Sequence, residues 1–271
     1  MTVQPQSLFF ALAGLHMLDD PRPLSGASIV FVMGKLGVGE SASRSVLQRM
    51  TAKKFIVRHK EGRKTFYTLS DRGRTILREG QEKMFAGWQP QDWDGRWTFV
   101  RVQVPESKRT LRHQMASRLS WAGFAQVDGG PWVAPGPHDV ATILGPEQSE
   151  ISPIAVYGEP QPPTTDEMLV SAFDLEALAA DYEAFGEKWR AVDPESLSPI
   201  EALVKRVELH FDWLTLTRTD PQLPGRLLPE RWPGAALGEL FHAGNDELCT
   251  REASQMHKFV NGELDSSPTM N

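Results

Sequence analysis

Apolar residues recur on nearly every face of the first helical stretch. Leu8, Phe9, Leu12, Leu15 and Leu18 predict a helix from Pro5 to Leu18 that is buried on most sides. Pro21-Arg22-Pro23-Leu24 breaks it, and Ser25 stands at the N-cap of a second predicted helix, Gly26 to Leu36. Gly37-Val38-Gly39 turns the chain into a third, GESASRSVLQRM. Here Val46, Leu47 and Met50, with Ser43 beside them, share one face at about 100° per residue. Ser41, Arg44, Ser45, Gln48 and Ala52 fall on the opposite face, with Arg49 on its flank. The period then changes from helical to alternating. Phe55 to His59 and Thr65 to Leu69 read as paired strands around a tip, Lys60-Glu61-Gly62-Arg63-Lys64, whose glycine allows the reversal. Ser70 caps a further helix to about Phe85, and Gly87-Trp88-Gln89-Pro90 leads into a linker, Pro90 to Asp94.

The next segment has another pattern. Trp97 to Val104 alternates as a strand, Ser107 opens an amphipathic helix (Leu111, Met115, Leu119, Ala122), and Phe124 to Val127 and Trp132 to Ala134 flank an Asp128-Gly129-Gly130-Pro131 turn. A short helix from His138 to Leu144 and a strand from Ile154 to Tyr157 complete the order βαββαβ, that of a ferredoxin-like fold. Gly158 to Thr165 is a proline-rich connector. From Ser171 the apolar spacing is helical, with one stripe through Leu175, Leu178, Tyr182, Phe185 and Trp189 and a second through Ile200, Leu203, Val207, His210, Phe211 and Leu214. DPQLPGRLLPERWPG, Asp220 to Gly234, holds too many prolines for helix or sheet and predicts an ordered loop. Two short helices are expected after it, near Ala236 to Ala243 and Glu247 to Val260. The expected class is α+β: a winged helix-turn-helix domain over 1–90, a ferredoxin-like domain over 93–160, an all-helical C-terminal domain over 166–262 and a disordered tail, 263–271.

Charge gives the first segment its meaning. The whole chain carries −6, but residues 1–90 hold 14 Lys/Arg against 7 Asp/Glu, a balance of +7, and residues 91–271 hold 15 against 28, a balance of −13. Such a division points the basic end at a polyanion. The outward helix face has hydrogen-bonding and cationic side chains and no carboxylate except Glu40 at its first turn, which suits a major groove, where Arg reads guanine and Gln reads adenine. Ser41, Arg44, Ser45, Gln48 and Arg49 are the expected reading face. Lys53, Lys54, Arg58, Lys60, Arg63 and Lys64 are the expected phosphate contacts. One cysteine, Cys249, excludes an internal disulfide framework, and the apolar N-terminal run, interrupted by His16 and ended by Asp19-Asp20, is too short to span a membrane; a cytoplasmic location is expected.

Several blocks resemble the PaaX family of transcriptional regulators, repressors of phenylacetic acid degradation operons. They are ESASRSVLQRM, GRKTFYTLSDRGR, WTFVRVQVPESKRTLRHQMASRLSWAGFAQVDGGPWVAP and DPQLPGRLLPERWPG. The first two are generic for winged helices, whereas Ser120-Trp121-Ala122-Gly123-Phe124 and the proline-rich loop are specific. The resemblance implies a homodimer on double-stranded operator DNA, released by an acyl-coenzyme A effector such as phenylacetyl-coenzyme A, with no further cofactor and no metal. Arg206, His210, Trp213, Arg218, Arg226 and Arg231 are the candidate effector residues, offering cations for phosphates and apolar surface for an acyl group. Asp212-Trp213 stands where family members carry further basic residues; if those cations hold part of the ligand, the departure implies a different inducer or none.

The family's central domain also resembles ferredoxin-like endoribonucleases that place an aspartate at the end of the first strand. Here that strand ends Gln103-Val104-Pro105, with Glu106 after the proline, which argues against a metal-dependent nuclease. No G-x-S-x-G elbow, P-loop or H-E-x-x-H appears, so an enzyme is not expected. The remaining alternative is a winged-helix module that docks a protein.

Overall fold

The computed structural model describes residues 4–85, 93–146 and 151–264, the side chains of 83–85 excepted. Residues 86–92, which hold most of the expected linker, and tail residues 265–271 lie outside the described residues. The chain is α+β, with helices and strands at the N-terminal end and a mostly helical C-terminal part. Its packing divides it into two compact units: 1–87 with 185–215 and 236–271, and 88–184 with 216–235.

In the first unit, α1 (Pro5–His16), α2 (Gly26–Lys35) and α3 (Glu40–Ala52) precede a hairpin of β2 (Ile56–Glu61) and β3 (Lys64–Leu69), followed by α4 (Asp71–Phe85). A two-residue strand, β1 (Leu24–Ser25), lies on the other side of β3, giving the order β1-β3-β2. The sequence reading missed this strand. Ser25 stands at the N-cap position of α2, but its side chain makes no cap bond. It is buried beside Gly262 instead, while its backbone pairs opposite Phe66. The core joins Leu8, Phe9 and Leu12 of α1 to Ile29, Val32 and Met33 of α2 and to Val46, Leu47 and Met50 of α3. Leu203 and Val207 of α9 (Pro199–Thr219) and Phe259 of α11 (Met256–Asn261), all fully buried, complete it. Each such side chain contributes roughly 1.5–3 kcal/mol of apolar burial, so the C-terminal helices are part of this unit's stability.

The second unit contains β4 (Trp97–Gln103), α5 (Arg109–Trp121), β5 (Ala125–Gln126), β6 (Trp132–Pro135), α6 (Val140–Leu144) and β7 (Ser152–Gly158). The sheet order is β5-β6-β4-β7, antiparallel at every junction. Because side chains alternate along a strand, Val100 packs with Leu111, Met115 and Leu119 of α5, while Trp97 packs with Leu169 and Phe173 around α7 (Asp166–Val170) and with Leu223. Leu175, which opens α8 (Leu175–Arg190), and Leu227 and Leu228 of the proline-rich loop join that second cluster.

The last helices depart from expectation. Where two short helices are expected, α10 runs unbroken from Gly234 to Glu252. Gly244 and Asn245 form the expected break; a glycine costs only about 1 kcal/mol in a helix, and the Asn245 side chain is held by Arg206 and His210 of α9. Tertiary bonding therefore overrides the local signal.

Candidate nucleic-acid interface

The turn before α3 uses Gly37 in the left-handed region (φ 84°), and Ser43 anchors the helix start by donating to the Gly39 carbonyl at 3.1 Å. Ser43, Val46, Leu47 and Met50 are buried, so the opposite face is turned outward. Ser41, Arg44, Ser45, Gln48 and Arg49 are all exposed. The hairpin register runs from Ile56 opposite Leu69 to Glu61 opposite Lys64, leaving Gly62 (φ 59°) and Arg63 as the two-residue turn. Lys53, Lys54, Arg58, Lys60, Arg63 and Lys64 are likewise exposed.

One cleft of about 750 Å³ gathers part of this set. Arg44 and Gln48 line it from α3, and Arg58, Arg63 and Lys64 from the hairpin, with Ser25, Gly26 and Val30 at its base. Ser41, Ser45, Arg49, Lys53, Lys54 and Lys60 do not line it. Arg44 is not idle: its guanidinium holds Glu40 at 2.7 Å, with both side chains about two-thirds exposed. Such a pair is weak in water, so it yields readily to a better partner. The sequence reading missed the C-terminal contribution to this rim. Gly262 lines the cleft, and Lys64 Nζ donates to the Asn261 carbonyl at 3.3 Å. Gly262 ends α11 in the left-handed region (φ 73°), a position that favours glycine, and a Cβ there would meet Ser25 Oγ.

The positive charge is local rather than global. The C-terminal segments of this unit add 6 Lys/Arg and 12 Asp/Glu, bringing it to 20 against 19. Within it, the outward face of α3 and the hairpin carry the cations.

The expected effector residues fall into two groups. In the first unit Asn245 Oδ1 accepts from Arg206 Nε at 2.9 Å and from His210 Nε2 at 2.7 Å, and Arg206 also binds the carboxylate of buried Glu252. His210 and Trp213 both touch Phe241, Trp213 stacking on it at 4.8 Å. Burial, with Arg206 adding to it, pushes His210 down to about 4 and His16 down to about 3, so both are neutral near pH 7. Burial raises Glu252 although Arg206 opposes the shift. Asp212 is held by Lys188 at 2.7 Å and by the Trp189 indole at 3.0 Å.

In the second unit Arg218 lies over the Trp121 ring at 5.3 Å and Arg226 over Trp93 at 3.9 Å, while Arg231 is exposed. Arg226 also lines a cleft of about 920 Å³, but its other charged walls are Asp166, Glu167, Asp174 and Glu176. That wall would repel a polyphosphate. The two specific sequence blocks meet here: a Cβ added at Gly123 (φ 86°) would stand 3.1 Å from the Pro221 carbonyl. Beside them Asp220 accepts from Tyr182 Oη at 2.7 Å, and burial together with Asp220 raises the tyrosine well above its ordinary value.

Glu106, the carboxylate nearest the end of β4, is held by Arg112 at 2.8 Å, and the Arg112 hydrogen bond lowers its pKa. Among the described residues there is no group of three or more His, Cys, Asp or Glu side chains placed to hold a metal ion, and no helix is long and apolar enough to cross a membrane.

Comparison with known proteins covers most of the chain. Residues 4–73 match the family described as PaaX-like protein, residues 90–160 the PaaX protein central Cas2-like domain, and residues 173–258 the PaaX-like protein C-terminal domain. The Transcriptional repressor PaaX of Escherichia coli (strain K12) is 27% identical over 253 residues, 88% of this chain and 78% of that one. A solved structure, the uncharacterized protein Rv0674 from Mycobacterium tuberculosis, shares the fold with a TM-score of 0.60 at 22% identity, covering 91% of this chain and 95% of that one. With three successive family segments matched in order along one chain and a relative matched over 88% of it, this protein belongs to the PaaX-like family.

Proposed function

We propose that this protein is a cytoplasmic transcriptional repressor that binds double-stranded operator DNA as a homodimer and controls a phenylacetate-type catabolic operon. The observation that carries the reading is the exposed outer face of α3, with Arg44 and Gln48 opening into one cleft with Arg58, Arg63 and Lys64. Arg44, Ser45 and Gln48 read base edges in the major groove, with Ser41 and Arg49 beside them, and Lys53, Lys54, Arg58, Lys60, Arg63 and Lys64 meet phosphates. The N-terminal unit acts as a winged helix-turn-helix and the βαββαβ unit as a ferredoxin-like body. Two copies set their recognition helices about 34 Å apart, one turn of duplex, or a multiple of it.

An acyl-coenzyme A, phenylacetyl-coenzyme A first among them, is the effector that releases the DNA. The Arg206, His210 and Trp213 cluster is the better candidate for its anchor, because the walls around Arg226 are acidic. To clear most of the operator the effector must prefer the non-binding state by a few kcal/mol.

The test is fluorescence anisotropy on the region upstream of the protein's own operon and on random duplex of equal length. Arg44→Ala is expected to cost roughly 1–3 kcal/mol on the operator and to relax preference at one base pair. An equal loss on random DNA contradicts base reading, and no binding by the wild type at low salt overturns the function.

A further inference from the structure

The first turn of α2 opens into the base of the cleft without a cap. The leading amides of an α-helix have no partner inside the helix. Here no side chain supplies one: Ser25, at the N-cap position, makes no cap bond, and the first turn holds no acidic residue. Ser25 is only 3% exposed, and its hydroxyl has no hydrogen-bond partner among the described residues, yet the residue lines the cleft. A hydroxyl so buried is costly unless a ligand oxygen accepts from it. Ser28, in the same turn, has a buried hydroxyl that is also unpartnered. Gly26 and the exposed Ala27 line the cleft beside Ser25, together with Arg44 of α3 and Arg58, Arg63 and Lys64 of the hairpin. None of the residues lining the cleft is acidic. Gly26 lies so close to β3 that a Cβ there would stand 2.9 Å from the Tyr67 ring and 3.2 Å from the Thr65 carbonyl oxygen, which fixes the helix start against the hairpin.

We propose that the first turn of α2 is a phosphate site, in which the Ala27 and Ser28 amides and the Ser25 hydroxyl donate to one phosphate group. The positive end of the helix dipole favours an anion there, and the amides offer donors that need no side chain to be ordered. Arg58 and Arg63, on the same cleft, supply the compensating charge, while Lys64 is tied to the Asn261 carbonyl at 3.3 Å. A tetrahedral oxyanion suits this set because its several oxygens accept from amide, hydroxyl and guanidinium together. In the DNA complex the group is a backbone phosphate of the duplex, a source that rests on the proposed function; the pyrophosphate of a coenzyme A carries the same chemistry. A phosphate held by α2 carries no sequence information and instead fixes where α3 enters the groove.

The experiment uses the full-length protein, with anisotropy on a random duplex across a salt series and thermal melting in parallel. Ala27→Glu is expected to bind roughly 10-fold more weakly than Ala27→Gln at low salt, with a slope of log K against log salt shallower by about one. It should nevertheless melt at the same temperature or higher, because a carboxylate in the first turn of a helix is favourable. A merely structural position would not separate binding from melting in this way. Ser25→Ala is expected to weaken binding by about 3-fold with an unmoved melting temperature, since the hydroxyl caps nothing. Sodium pyrophosphate and coenzyme A separate the two sources. A melting temperature raised by either in the wild type and not in Ala27→Glu supports a free phosphate as ligand, whereas losses on duplex alone support the DNA backbone. Glu and Gln variants that agree on duplex and in both melting series overturn the site. A loss in Ala27→Glu with none in Ser25→Ala is charge repulsion at a distance and also overturns it. A wild type that binds no duplex at low salt overturns the proposed function, and the pyrophosphate and coenzyme A series then decide the site by themselves.

Discussion

Arg206 offers the sharpest test of how α9 and α10 are held to each other. Its guanidinium reaches Glu252 on α10 with side-chain exposures of 13% and 2%, and donates to Asn245. Glu252 Oε2 has no hydrogen-bond partner, so the carboxylate depends on Arg206 for compensation. Replacing Arg206 by methionine keeps most of the volume and removes the charge. The uncompensated buried carboxylate then costs about 3–5 kcal/mol. At about 2–4 °C per kcal/mol for a chain of this size, the midpoint for the first unit should fall by roughly 6–20 °C. Urea unfolding followed by far-ultraviolet circular dichroism reports the loss, with tryptophan fluorescence in parallel, since Trp189 and Trp213 of this unit are two of the chain's eight tryptophans. Adding Glu252→Gln to the variant should recover much of the loss, since the cost is the orphaned charge and not the missing contact. Lowering the pH should do the same: Glu252 is already raised by burial, and once protonated it needs no cation. A loss below about 1 kcal/mol, or a double variant no better than the single one, would refute the reasoning.

The buried histidines set an acid limit. His16 and His210 titrate at about 3 and about 4 in the fold against 6.5 unfolded, so the unfolded chain takes up protons first. Stability is complete above pH 6.5 and declines as pH falls toward those values, by about 1.4 kcal/mol per pH unit for each histidine. Raised Glu252 works in the opposite direction below its folded pKa. His16→Phe should flatten the slope between pH 6 and 5 by about half in denaturant titrations. Gly73→Ala should lower the melting temperature, because the new Cβ would stand 2.1 Å from the Phe55 carbonyl oxygen, whereas Gly80→Ala, with nothing within 4 Å, should raise it slightly. Glu40→Gln should tighten binding to random DNA by up to about 5-fold at low salt, since it frees Arg44 and removes the one carboxylate of the reading face; unchanged or weaker binding would count against the interface.

The amino-acid pattern determined the local elements and the face of each. The 3.6-residue period through Val46, Leu47 and Met50 left Arg44 and Gln48 no side but the outer one, and the alternation around Gly62 fixed the hairpin. Both signals are local, so neighbours in sequence carry them. The order βαββαβ was legible for the same reason, while the pairing that places β4 between β6 and β7 came only with the fold. Residues distant in sequence decided the rest. Nothing around Ser25 announces a strand, because its partner is β3, and nothing around Gly244 announces an unbroken helix, because the support comes from α9. The charge division along the chain suggested a separate basic end, yet Leu203, Val207 and Phe259 close that end's core. Such choices depend on which apolar faces find each other in three dimensions, a quantity that no window of sequence contains.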